Sequence, residues 1–357
     1  MFPAELSRIE RSLLVIALVF IIILAVKMTT FFVTIILTSI FFAMLAYPSL
    51  TWLKKKGVSD IIAVSMITVV ACLVIVGFIL LTVLSVNTLV SDIPQFQQEL
   101  NMRLADITSL LQTFGVPSNA LTLPQINIES ILSIVISSVM GLGEAIIFLF
   151  FVGVTTFFLL LETPNLEVRF RQLGGKSPET IKQVSRMAGY VTDFIVVRTE
   201  TNLIHGILFG GFLSIMGVHA AILWGILVFL LGYIPYIGLI IASVPAIFFA
   251  WLQFGVWGAV AVIAAVCVLN LIVENPVYSY LAAQKFEVPA LIVIISVIFW
   301  GWLLGLIGMF FAIPLTLMLF LAFQIFEDCR WINRVLGVSH LFEEEQENAD
   351  GTNPGAG

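Results

Sequence analysis

Charge is what this sequence has least of. Only 11% of its 357 residues are Asp, Glu, Lys or Arg, where a soluble domain carries about 25%. That scarcity excludes an ordinary water-facing globular fold. Cysteine is sparse too: Cys72, Cys267 and Cys329 form no C-x-x-C pair and no disulfide framework, and buried, inert thiols are expected. His205, His219 and His340 are scattered, so metal-ligand spacing is absent. There is no G-x-x-x-x-G-K-[ST], no H-E-x-x-H and no G-x-S-x-G. Nucleotide hydrolysis and the common hydrolytic mechanisms therefore lack their residues. Asp193 and His205 stand too isolated to suggest an intramembrane protease. We expect no enzyme, no cofactor, no metal and no nucleic-acid partner.

What is present is hydrocarbon. The chain is 60% hydrophobic, with a mean hydropathy of +1.12. Apolar runs lie at 12–28, 30–50, 59–90, 130–161, 201–217, 220–252, 255–282 and 288–326. A crossing takes roughly 20 residues, so the expectation is an all-α polytopic membrane protein with about eight transmembrane segments. Arg8 and Arg11 precede the first run, with no small-residue cleavage site after it, which reads as a retained span. Arg8, Arg11, Lys54, Lys55, Lys56, Arg169, Arg171, Lys176, Lys182, Arg186, Arg330 and Arg334 fall on one side of this layout. Lys27, Arg103 and Lys285 fall on the other. The positive-inside rule then places both termini in the cytoplasm of an inner-membrane protein.

The chain divides accordingly: 1–90 holds three spans, 91–129 an extracytoplasmic amphipathic segment, and 130–161 the fourth span. Residues 162–200 form a cytoplasmic amphipathic linker, 201–328 a transport core, and 329–357 an acidic, disordered tail. In the outer segment Phe96, Leu100, Leu104, Ile107, Leu111 and Phe114 recur at helical spacing, as if to lie on the membrane or a neighbouring subunit. The inner linker begins with Ser177 as N-cap and Pro178 at the first helical position. Lys27 is expected at an interface, and Arg198 and Glu200 as a cytoplasmic ion pair.

Two runs are interrupted. "LLGYIPYIGLIIASVPA" places Gly232, Pro235 and Gly238 mid-run, and "FWGWLLGLIGMFFAIP" places Gly301, Gly305 and Gly308 before Pro314. Unpaired backbone in lipid costs several kcal/mol, so such breaks survive only inside protein or along a cavity. Paired breaks point to a substrate site, the competing reading being kinks and small-residue packing at Gly206xxxGly210 and Gly301xxxGly305. Between the breaks, Asn270, Glu274 and Tyr278 share one helical face. Pro276 cannot donate to the Ile272 carbonyl and serves, with Gly305 and Gly308, as a candidate hinge. Glu274, Asn270 and Asn275 supply the oxygens a monovalent cation such as Na⁺ prefers. An intramembrane carboxylate is by default functional, here as the carboxylate that couples transport to the proton, unless 274 sits near the outer interface.

"YIPYIGLIIASVPA" (233–246), "NLIVENPV" (270–277) and "FWGWLLGLIGMFFAIPLT" (299–316) resemble the autoinducer-2 exporter family of transporters, and "FFLLLETPNL" (157–166) fits the same layout. The resemblance spans about residues 10 to 328. It implies an eight-span, oligomeric inner-membrane carrier. Its transport-region motifs match Pro235, Tyr236, Gly238, Trp300, Gly301 and Trp302. The "ENP" stretch departs from the family, whose members more often carry neutral residues there. The leading reading is a secondary transporter exporting a small polar organic solute such as autoinducer-2, coupled to the proton gradient. The alternative is a Na⁺(Li⁺)/H⁺ antiporter using Glu274, and a third reading is a membrane scaffold.

Overall fold

The computed structural model describes residues 8–114, 142–172, 178–283, 288–326 and 329–338. Among these every regular element is a helix: α1 (Arg8–Met28), α2 (Thr30–Lys55), α3 (Asp60–Ser91), α4 (Ile93–Thr113), α5 (Leu142–Gln172), α6 (Pro178–Met216), α7 (Ala221–Leu231), α8 (Gly238–Ala283), α9 (Ala290–Leu304), α10 (Leu306–Phe310), α11 (Ala312–Ile325) and α12 (Arg330–Val335). The helices α2 and α3 and the Glu144–Thr163 part of α5 are long and apolar enough to cross a bilayer. None of the most apolar window of α3 is buried within the chain, and Phe20, Ile215 and Trp257 are exposed. An apolar surface of that extent requires lipid or another apolar partner. The same inversion overturns the expectation of buried thiols: Cys72 and Cys267 are exposed and Cys329 is half-buried.

The run 220–252 does not cross as one helix. It stops at Leu231, passes through non-helical residues 232–237, and returns from Gly238. A Cβ at Gly238 would stand 1.7 Å from the Leu231 carbonyl oxygen. At the other end the His219 amide donates to Gln253 Oε1 at 3.2 Å, so the run's two ends lie together. Gly255, at φ 69° and ψ −159°, then turns the chain again inside α8. A Cβ at Gly258 would meet the Ala250 carbonyl oxygen at 2.4 Å, although eight residues of straight helix span about 12 Å. Thus α8 comprises two opposed arms, 238–254 and 256–283.

The run 288–326 repeats the device. Gly305 adopts φ 70° and ψ −151°, and Gly308 lies so close to Trp300 that its Cβ would stand 2.0 Å from that carbonyl oxygen. Only glycine reaches this left-handed conformation readily. Both ends of this hairpin pack on Met187, Val191 and Ile195 of α6: Val288 and Ile292 from one end, Leu317 and Phe320 from the other. The first hairpin opens at the Met216 end of α6 and the second at its Met187 end, so they enter the molecule from opposite ends. Their inner portions meet where Ile234, Val297 and Ala312 form one buried cluster with Trp300, Met309 and Phe310 against it.

Close helix approach also occurs where the small-residue spacing suggests it. A Cβ at Gly206 would meet the Gly225 carbonyl oxygen at 2.7 Å, and one at Gly210 the Gly225 Cα at 3.3 Å. The amphipathic α4 finds a partner for part of its apolar stripe in its own chain. Phe96 and Leu100 are buried against Leu252. Arg103 donates from Nε to the Leu252 carbonyl at 3.1 Å and from Nη2 to that of Gln253 at 3.2 Å, satisfying carbonyls left open where the helix ends before Gly255. Farther along, Ile107 and Phe114 of the stripe remain exposed. The proposed N-cap Ser177 lies outside the described residues, while α6 does begin at Pro178.

Candidate functional site

The interruption at 232–237 carries polar chemistry. With no helical partner for its backbone, the Gly232 carbonyl accepts from Arg198 Nε at 3.0 Å and also from Nη2. The remaining terminal nitrogen of Arg198, Nη1, donates to both oxygens of Glu274 at 3.0 and 2.8 Å. One guanidinium on α6 therefore ties the broken tip to the second arm of α8. The two side chains are 13% and 14% exposed, and charges so far from water persist only when paired and hydrogen-bonded. The expected Arg198–Glu200 pair does not form; Glu200 is exposed on α6. Spacing brings neighbours on one helix to mind first, whereas Glu274 is 76 positions away in sequence.

A cavity of about 440 Å³ opens beside this pair, lined by Arg198, His205, Gly232, Tyr236, Asn270, Glu274 and Asn275, with Val228, Leu239 and Val266 among its apolar walls. Asn270 and Glu274 face it together, as their spacing requires. Tyr278 lies on the same helix, but its side chain is outside the described residues. The helix continues through Pro276 without interruption. Pro235 is buried in the break, and Tyr236, at φ 63°, holds a left-handed conformation that costs a non-glycine residue about 1–3 kcal/mol. Tyr233 of the same tip donates its hydroxyl to Thr199 Oγ1 at 2.7 Å.

Two further side chains lie on the cavity side of α6. His205 is 3% exposed and lines the cavity, and its Nε2 is buried with no hydrogen-bond partner among the described residues. Asn202 is equally buried beside Gly232, its Nδ2 also unpartnered there. Arg198, Asn202 and His205 follow an i, i+4, i+7 pattern, the face of one helix. That signal was available, but nothing local says what the face meets.

The second break contributes packing. Trp300 Nε1 donates to Thr316 Oγ1 at 3.0 Å, Gly301 packs on Met309, and Trp302 is exposed beneath Lys27. Lys27 donates to the Trp302 carbonyl, which ties this exposed lysine to the second hairpin. Trp300, Gly301 and Trp302 are not among the residues lining the cavity. Gly305 and Gly308 form the turn above. Among the described residues no cluster of His, Cys, Asp or Glu could hold a metal ion.

Comparison with known proteins fits this architecture. The family model described as "AI-2E family transporter" matches residues 13–327. A protein of Haemophilus influenzae, assigned to transport by name without a stated substrate, is 30% identical over 326 residues, covering 88% of this chain and 93% of its own length. The AI-2 transport protein TqsA of Escherichia coli is 27% identical over 287 residues, 80% of this chain and 83% of its own. A helical, lipid-facing chain with two opposed hairpins, matched from residue 13 to 327, belongs to the AI-2E family of transporters.

Proposed function

We propose that this chain is a secondary transporter that exports a small polar organic solute such as autoinducer-2, coupled to the proton gradient. The observation that carries the reading is the polar cavity at the tip of the first hairpin, where Arg198, Gly232 and Glu274 converge. Hydroxyl and carbonyl groups of a solute can exchange with this guanidinium and carboxylate, donating to Glu274 and accepting from Arg198. Asn270 and Asn275 add amide donors and acceptors at the same wall. Alternating access moves the broken hairpins against the remaining spans, with the cluster around Ile234 and Ala312 as the sliding contact. We place the protein in the inner membrane with both termini cytoplasmic. Copies associate into a homo-oligomer, and the unburied face of α3 is one surface for it.

Labelled autoinducer-2 loaded into proteoliposomes tests this. An imposed pH gradient is expected to drive its movement in the presence of the protein, and protein-dependent movement absent under every gradient sinks the reading. A second reading, Na⁺(Li⁺)/H⁺ exchange at Glu274 and Asn270, draws on their shared place in the cavity. It is disfavoured because Arg198 already engages both carboxylate oxygens. Sodium-dependent dissipation of a pH gradient, abolished by Glu274→Gln, would restore it.

A further inference from the structure

Among the polar residues lining the cavity, Arg198 and Glu274 are committed to each other. Nη1 of Arg198 donates to both oxygens of Glu274, and both side chains are largely buried. His205 stands differently. It lines the same cavity, is 3% exposed, and its Nε2 is buried with no hydrogen-bond partner among the described residues. It sits two turns along α6 from Arg198, on the same face.

We propose that His205, rather than Glu274, is the group that carries the coupling proton. This rests on the export reading above and assigns its coupling site. Imidazole is the side chain whose ordinary titration falls between about pH 5 and 8, and histidines inside membranes serve proton relays. In the step itself a hydronium in cavity water gives its proton to the imidazole, leaving water and an imidazolium. The reverse transfer to water on the other side returns the site to neutral. The charged and titratable groups around it are Arg198 on its own helix, Glu274 and Cys267 on α8, and Tyr236 at the tip, all lining the cavity, with Tyr233 turned to Thr199. The helix α7 brings only Val228 to this wall, and no titratable side chain at all. Because the charges of Arg198 and Glu274 offset one another, a proton on His205 changes the cavity from neutral to cationic. Such a change in charge can bias which way the cavity opens.

Two measurements decide it. Histidine-selective ¹⁵N NMR of the full chain in lipid nanodiscs, in a His219→Asn, His340→Asn background, reads His205 alone. Its ring nitrogens are expected to pass from neutral to imidazolium signatures as the pH is lowered across the range in which the protein stays folded, and a ring that stays in one form throughout overturns the proposal. In proteoliposomes, His205→Gln keeps amide hydrogen bonding but cannot carry the proton. It is expected to retain gradient-free exchange of labelled autoinducer-2 within about threefold of the parent, whereas a one-unit pH gradient no longer sustains the roughly tenfold accumulation that one-to-one coupling allows. Undiminished gradient-driven accumulation overturns the assignment of His205, as does loss of gradient-free exchange as well. If the parent protein itself exchanges no autoinducer-2, the export reading fails, and this assignment falls with it.

Discussion

Arg198 serves two groups at once: it satisfies a carbonyl released by the break at Gly232 and holds both oxygens of Glu274. Removing either partner leaves the other charge stranded, at a cost of about 3–5 kcal/mol. Arg198→Ala and Glu274→Gln are therefore each expected to lower the melting temperature in detergent and to abolish transport. An Arg198→Met, Glu274→Leu double variant should recover much of the thermal stability and none of the transport, since apolar pairs often replace buried ion pairs at little cost. If the double variant melts no higher than the singles, the pair is not the coupled unit described here. The sequence made Glu274 conspicuous because a carboxylate beside Pro276 in an apolar run is rare. Nothing in it made Arg198 so, because an arginine close to a cytoplasmic linker looks like ordinary positive-inside charge.

Among the elements, the helix reversals at Gly255 and Gly305 set the architecture. Each is followed three residues later by a glycine whose Cβ would collide with a carbonyl eight residues back: Gly258 on Ala250 at 2.4 Å and Gly308 on Trp300 at 2.0 Å. A methyl group has nowhere to go against backbone. Gly308→Ala is expected to destabilise by about 1–3 kcal/mol through overpacking. Gly211→Ala, where nothing lies within 4 Å, should be neutral or gain about 0.5–1 kcal/mol from helix propensity. Chemical denaturation in mixed micelles compares the two, and equal responses would refute the close approach at Trp300. Gly305 and Gly308 were legible as interruptions and Gly255 and Gly258 were not, and whether the chain kinks, crosses or folds back depends on φ at single residues, which spacing does not encode. The stripe on α4 was legible in the same partial way. Phe96 and Leu100 announced a buried face, and only the fold supplied Leu252 as its partner.

Across the whole molecule, two hairpins entering from opposite ends and touching at Ile234, Val297 and Ala312 give the chain a natural pair of moving parts. If transport slides one tip past the other, tying them together stops it. An Ile234→Cys, Ala312→Cys variant, made after replacing Cys72, Cys267 and Cys329 by serine, is expected to cross-link under mild oxidation and to lose solute exchange. Reductant should restore it. Efficient cross-linking with unchanged exchange would show the tips to be a static core.

By itself the sequence determined the solvent, the element type and the family. Hydropathy at +1.12 leaves lipid as the only medium for the long runs, continuous apolar runs of about 20 residues span lipid as helices, and the ordered motifs at 233–246, 270–277 and 299–316 lie within the family match. Tertiary structure alone decided that two of the runs fold back, that Cys72 and Cys267 are exposed, and that Arg198 and His205 join Glu274 at one cavity. The reason is range. Helix formation follows from local hydrogen bonding along the chain, whereas a site built from α6, a broken tip and the far arm of α8 depends on contacts up to 76 positions apart, and those exist only once the hairpins have closed.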